Sequence, residues 1–256
     1  MVYLYNVLPQ MFGLMTKWAS SVENATASNV IFVFAWLLCG VSAYLLGSLN
    51  SAIIVSTYKY KQDIRNFGSK NAGMTNMMRT YGKRAAGFTL LGDALKAVVS
   101  CLIGYAIVGQ LGAYIAGLCC ILGHVFPVYY RFKGGKGVVT AAVTVLMCDP
   151  FIFLILFALF VIIVLWTKFI SLGSIICMLL YPLILSATST FVLKMEGQDG
   201  TSPYVIYTVI MAVVIVCKHW TNIKRLREGT ESKFSFKKSV KTTEEKVENT
   251  EAEDEQ

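Results

Sequence analysis

An all-α integral membrane protein with seven crossings is the fold class this sequence predicts, and three observations predict it. Hydrophobic residues fill 55% of the 256 positions against 15% charged, and the mean hydropathy of +0.60 lies far above that of a soluble domain. The apolar residues gather into seven blocks, roughly residues 30–57, 86–108, 112–130, 138–148, 151–166, 170–190 and 203–218. The loops between those blocks alternate between basic and nearly uncharged, as expected of a chain threaded through a bilayer.

In chain order, residues 1–29 come first. They contain LPQMFGLMTKW, a stretch that fits an interfacial amphipathic helix, and they lack the basic start and small-residue cleavage site of a secretory signal. Asn24 opens a glycosylation-type triplet, NAT, a pattern too common to weigh heavily. A crossing helix needs about 20 apolar residues. The fourth block, 138–148, is too short to cross comfortably, so it is expected to form a hairpin with the fifth, turning at Asp149-Pro150. Residues 30–238 form the expected membrane domain. Residues 239–256 read as a disordered acidic tail, because 242–256 hold seven of the fifteen acids. Without that tail the body carries 22 bases against 8 acids.

Lys59 to Arg84 carries seven Lys/Arg, Arg131 to Lys136 carries three, Lys168 adds one, and the region from Lys218 onward holds nine. The opposite loops hold only Lys17 and Lys194. The positive-inside rule therefore puts the N-terminus outside and the C-terminus in the cytoplasm, a parity that seven crossings satisfy. The seven cysteines, Cys39, Cys101, Cys119, Cys120, Cys148, Cys177 and Cys217, form no CxxC pair and read as small buried hydrophobes, with no metal site.

Topology explains why these loops are basic; it does not explain their other residues. The loop DIRNFGSKNAGMTNMMRTYGKR brings Gly68, Ser69, Asn71, Gly73, Thr75, Asn76 and Arg79 within twelve positions. Glycines let a backbone approach an anion, hydroxyls and amides donate hydrogen bonds, and a guanidinium grips phosphate with two. A turn-rich loop without a ligand would look similar. The next basic loop contains KGGKGVVT, with Gly134, Gly135, Lys136 and Gly137 opening a helix. It fails the Walker A pattern, since Gly137 stands where Ser or Thr is required, so a nucleotide-driven pump is unsupported. Glycine turns and helix N–H groups beside an ammonium still suit a phosphate. SLGS supplies Ser171 and Ser174; small residues at such a place are more often helix-packing contacts than ligand donors. His219 and Asn222, three apart after the last block, share a helix face. Asp93 and Lys96, one turn apart inside the second block, read as a helix-stabilising pair. Neither His124 nor His219 has an Asp four or five residues on, which removes the His-x4-Asp dyad of soluble acyltransferases.

Taken together, LLGS, DIRNFGSKNAGMTNMMRTYGKR, LGDALKA, LGHVFPVYYRFKGGKGVVTA and HWTNIKRLREGTESKF, in that order from about Leu45 to Phe234, closely resemble the PlsY family. These are the bacterial membrane acyl-phosphate:glycerol-3-phosphate acyltransferases. The resemblance implies a seven-helix fold in the plasma membrane with the active site facing the cytoplasm. It implies transfer of a fatty acyl group from acyl phosphate to the 1-hydroxyl of glycerol 3-phosphate, giving lysophosphatidic acid and phosphate, with no cofactor, no metal, no nucleic acid and no obligate protein partner. By motif it assigns catalytic roles to Ser69, Arg79, Lys136, His219 and Asn222. It assigns phosphate binding to Gly68, Asn71, Gly73, Thr75, Gly134, Gly135, Gly137, Ser171 and Ser174. The chain departs from the family pattern at Lys70 (usually Gly), Met74 (usually Ala), Val139 (usually Ala) and Ala97 (usually Gly). A membrane transporter of phosphate or an organophosphate is the alternative reading, and a catalytically silent headgroup binder is a weaker one. A transporter site should lie near midplane between internal repeats. Here the polar residues cluster at the cytoplasmic ends and no repeat is evident.

Overall fold

A computed structural model describes residues 13–197 and 200–234, and every regular element among them is helical. In chain order the helices are α1 (Leu14–Ser21), α2 (Ala25–Ser48), α3 (Ser51–Tyr60), α4 (Met74–Tyr81), α5 (Lys83–Val108), α6 (Gln110–Val125), α7 (Val138–Cys148), α8 (Pro150–Thr167), α9 (Ile170–Met195), α10 (Val205–Lys218) and α11 (Trp220–Arg227). Five stretches are long and apolar enough to cross a membrane: Ala25–Tyr60, Lys83–Val108, Gln110–Tyr130, Pro150–Thr167 and Ile170–Met195. The pair α10–α11, bent by 57°, makes a sixth if counted as one span. Helix α7 has 11 residues and is the short element its sequence predicts.

The first apolar block is not one straight helix. It breaks at Leu49–Asn50, because the Asn50 side chain caps α3 by accepting from the Ile53 N–H (3.1 Å), while the Leu49 carbonyl accepts from the Lys96 ammonium (2.9 Å). Helix α2 packs on α6 through Gly47 and Gly123, and α5 packs on α6 through Gly104 and Gly112; a Cβ at any of the four would run into the facing backbone. A second core joins α6 to α10 through Tyr114, Ile121, Val145, Tyr181, Met211 and Ile215. The α7–α8 hairpin turns at Asp149, whose carboxylate accepts from the Tyr114 (2.6 Å) and Tyr181 (2.5 Å) hydroxyls and so fastens the turn to α6 and α9. Phe151, Leu154, Ile162, Leu165 and Trp166 of α8 point outward, the arrangement expected of a lipid-facing helix.

Helix α1, with Trp18 exposed, covers part of the N-terminal stretch expected to be an interfacial helix; the segment before Gly13 lies outside the described residues, as does the acidic tail. Asn24 caps α2 by accepting from the Ala27 N–H (3.1 Å). All seven cysteines are free, and Cys217 is a correction to their reading as buried: it shares the outward face of α10 with Val213.

Candidate active site

Three segments converge at one end of the helices. The first is the loop before α4. Asn76 organises it from within: its Nδ2 donates to the Phe67 (2.9 Å) and Asn71 (3.0 Å) carbonyls, and its Oδ1 accepts from the Ser69 N–H (2.9 Å). Gly68, at φ +55°, lies so close to that amide that a Cβ there would collide with Oδ1. Gly73 precedes α4 in extended conformation, and α4 then carries Thr75 and Arg79 four apart on one face. Lys70 adopts φ +57°, a left-handed conformation that costs a non-glycine residue about 1–2 kcal/mol. Its side chain is exposed, so only the backbone is strained. Lys70→Gly should therefore stabilise the protein by about 0.5–1 kcal/mol once the freer unfolded glycine is discounted. Thermal unfolding in detergent measures this; an unchanged or lower midpoint would contradict it.

The second segment, residues 127–137, is clamped to the first. The Arg65 Nη1 donates to the Tyr130 (3.0 Å) and Lys133 (3.1 Å) carbonyls, while Asp63 holds the guanidinium through Nε (3.0 Å) and Nη2 (2.6 Å). That guanidinium holds the Asp63 carboxyl below the usual carboxylate range. The Gly135 N–H donates to the His124 carbonyl (3.2 Å). A Cβ on Gly134 would strike that carbonyl, and one on Gly135 would strike both the Ala72 carbonyl and His124 Nε2. Gly137, at φ +78°, turns the chain into α7, which has no side-chain cap over its first N–H groups. Lys136 leaves this turn and donates to Asn222 Oδ1.

The third segment is the bend between α10 and α11. His219 sits at the bend, buried, its Nδ1 bonded to the Ile215 carbonyl (2.8 Å). One turn on, buried Asn222 bridges two charges: it accepts from Lys136 and donates to Glu231 (2.6 Å). Glu231 also accepts from Ser171 (2.7 Å) and from the Arg225 Nε (2.7 Å). Sequence reasoning missed Glu231. The available signal was an acid in a basic segment, but Glu228 carries the same signal and only reaches Lys224 at the surface, at 3.9 Å. Burial would raise the Glu231 carboxyl, but its bonds from Asn222, Ser171 and Arg225 outweigh that and lower it. Burial brings the Lys136 ammonium from 10.5 down to about 8, with Arg225 and Arg79 acting the same way and Glu231 opposing.

Lys136, Asn222 and Ser171 are thus joined through Glu231, with Arg79 and His219 in the electrostatic neighbourhood of Lys136. Gly68, Ser69, Asn71 and Gly73 lie on the first loop, which meets Gly135 at Ala72, and Thr75 follows in the first turn of α4. Ser174 is engaged elsewhere, its hydroxyl donating to the Ile170 carbonyl of its own helix (2.9 Å). Cations and backbone N–H groups concentrated in this way at helix ends suit a phosphate dianion.

The family model described as glycerol-3-phosphate acyltransferase matches residues 37–229. A glycerol-3-phosphate acyltransferase of Thermoanaerobacter pseudethanolicus is 40% identical over 205 residues, covering 80% of this chain and 98% of that one. One from Finegoldia magna is 39% identical over 201 residues, covering 77% and 96%. Among solved structures, PlsY, an integral membrane glycerol 3-phosphate acyltransferase, in its glycerol 3-phosphate form is 32% identical with a TM-score of 0.66, covering 78% of this chain and 96% of that one. Its lysophosphatidic acid form is 30% identical, with a TM-score of 0.63 and the same coverage.

Proposed function

The chain belongs to the glycerol-3-phosphate acyltransferase family, and on that premise we propose that it transfers a fatty acyl group from acyl phosphate to the 1-hydroxyl of glycerol 3-phosphate, releasing lysophosphatidic acid and inorganic phosphate. One observation carries the reading: the Lys136 ammonium, at the end of a glycine turn, is fixed by Asn222 and Glu231 with Arg79 nearby. Two phosphorylated substrates need such a site, and its place at helix ends lets one arrive from the bilayer and the other from water.

Acyl phosphate is already an activated mixed anhydride, so the protein's main task is to hold two reactants together. The glycerol oxygen attacks the acyl carbonyl, the carbonyl electrons move to oxygen, and they return as the bond to phosphate breaks. The hydroxyl proton passes to a substrate phosphate and leaves with it. Arg79 and Lys136 hold phosphate, and Ser69, His219 and Asn222 orient the reacting groups. The N–H groups of residues 68–73 and 134–137 other than those of Ser69, Lys70, Gly73 and Gly135, with Thr75 beside them, form the phosphate cradle, while the Ser171 and Ser174 hydroxyls are held by Glu231 and the Ile170 carbonyl. Donors aimed at the developing oxyanion stabilise the tetrahedral intermediate. As written, the reaction needs no metal, nucleotide or acyl-enzyme. The excess of Lys and Arg in these loops supports a cytoplasmic orientation, the side from which glycerol 3-phosphate would enter.

Purified protein offered acyl phosphate, acyl-CoA and acyl carrier protein as competing donors should turn over acyl phosphate and form lysophosphatidic acid. Robust turnover with acyl-CoA and none with acyl phosphate would overturn the donor assignment.

A further inference from the structure

Three ionisable side chains lie buried among the helices behind the site: Asp93 at 2%, Lys96 at 7% and His124 at 3% exposure. Charges are expensive there and are retained where they pair or serve a function. The sequence suggested only a pair within one helix. That pair forms, Lys96 Nζ lying 2.9 Å from Asp93 Oδ1, but Lys96 reaches further. Its ammonium also donates to the Leu49 carbonyl at the α2–α3 break (2.9 Å) and meets His124 Nδ1 (2.8 Å).

Each of these two contacts leads to a different loop of the site. Beside Leu49, Asn50 donates through Nδ2 to the Ala72 carbonyl (3.4 Å), in the first loop. From the other arm, the His124 ring presents Nε2 to Gly135, in the second loop, while its backbone carbonyl accepts from the Gly135 N–H (3.2 Å). Ala72 and Gly135 then touch, closing a circuit that begins and ends at one ammonium. With Lys96 as an ammonium, which can only donate, His124 Nδ1 is its acceptor and the ring proton sits on Nε2, the edge toward Gly135; the same Nδ1 lies 3.5 Å from Asp93 Oδ1.

We propose that Lys96, anchored by Asp93 and acting through His124 and the Leu49–Asn50 break, is a positioning residue that holds the two glycine loops in register for glycerol 3-phosphate. This rests on the phosphate-site reading of those loops. Lys96 touches no substrate. It sets the spacing between two sets of backbone donors, so its loss should weaken ground-state binding of the phosphate more than it slows the bound reaction.

The test uses the full-length purified protein and two variants. Asp93→Asn/Lys96→Met removes both charges together, so no buried charge is left unpaired. His124→Asn keeps an acceptor for Lys96 but withdraws the ring edge from Gly135. In each, hydrogen exchange in residues 68–73 and 133–137 should quicken at least about fivefold while α8 and α9 stay protected, and KM for glycerol 3-phosphate should rise about tenfold with kcat changed less than about threefold. A role in general stability would instead loosen all helices together. Exchange in both loops unchanged within about twofold overturns the proposal. If the double variant does not fold, His124→Asn, with its ion pair intact, decides. If the unaltered protein fails to use glycerol 3-phosphate at all, the functional reading falls, and exchange in the two loops still decides the positioning role.

Discussion

Lys136→Ala should lower kcat/KM for glycerol 3-phosphate by about ten- to a few-hundred-fold, the loss expected when charge-assisted hydrogen bonds worth about 1.5–3 kcal/mol are removed. The competing explanation is that Lys136 only marks its loop as cytoplasmic. Orientation depends on summed loop charge, so a residue with that role alone would be replaceable. Lys136 is engaged by Asn222, itself held by Glu231, whereas Lys59 and Lys61 lie exposed, so substitution at these positions distinguishes the two explanations. Arg79→Ala should behave like Lys136→Ala, and Arg79→Lys should recover little, since an ammonium lacks the guanidinium fork. Lys59→Ala and Lys61→Ala should be nearly silent. A pH profile adds an independent check. With the Lys136 ammonium brought down to about 8, charge is present below that pH and lost above it. The value of kcat/KM, which reports the free protein, should therefore fall as pH rises through about 8. Near wild-type kinetics in all four alanine variants, with orientation verified by cysteine accessibility, would show that these loops are topology signals only.

Gly135→Ala should cost about a hundredfold or more in the same parameter, though it adds one methyl group and removes no donor. Gly135 does not have positive φ, so conformational strain is not the cause. The cause is space: the new Cβ would meet the Ala72 carbonyl on one side and His124 Nε2 on the other. Neither yields easily, since the carbonyl is backbone bonded by Asn50 and the ring is bonded by Lys96. The loops must part, and N–H donors displaced by about an ångström lose their aim at phosphate. Gly87→Ala is the matched control: a Cβ there meets nothing within 4 Å, and alanine suits the helix it lies on. Equal activity in the two variants would show that the Ala72–Gly135 contact has slack and that loop spacing is not critical.

The sequence by itself determined the helical membrane class, the approximate limits of the apolar elements, the short α7 and the motif loops. Hydropathy, charge asymmetry and glycine turns are properties of neighbouring residues, so a linear reading captures them. It also flagged Lys70 as a glycine position, and the backbone there does take φ +57°. Tertiary structure decided the rest. Asn50 looks like any polar residue in an apolar run until Lys96, from another helix, takes the carbonyl beside it. Asn76 looks like another phosphate donor in a polar loop, yet its amide is spent on the loop's own backbone. Glu231 cannot be told from Glu228 by composition. It acquires its role because Ser171, 60 residues earlier, folds against it, just as Lys136 meets Asn222 across 86 residues. A buried polar group is stable only when its hydrogen-bond partners are in place, and partners that distant in sequence are chosen by how the helices pack.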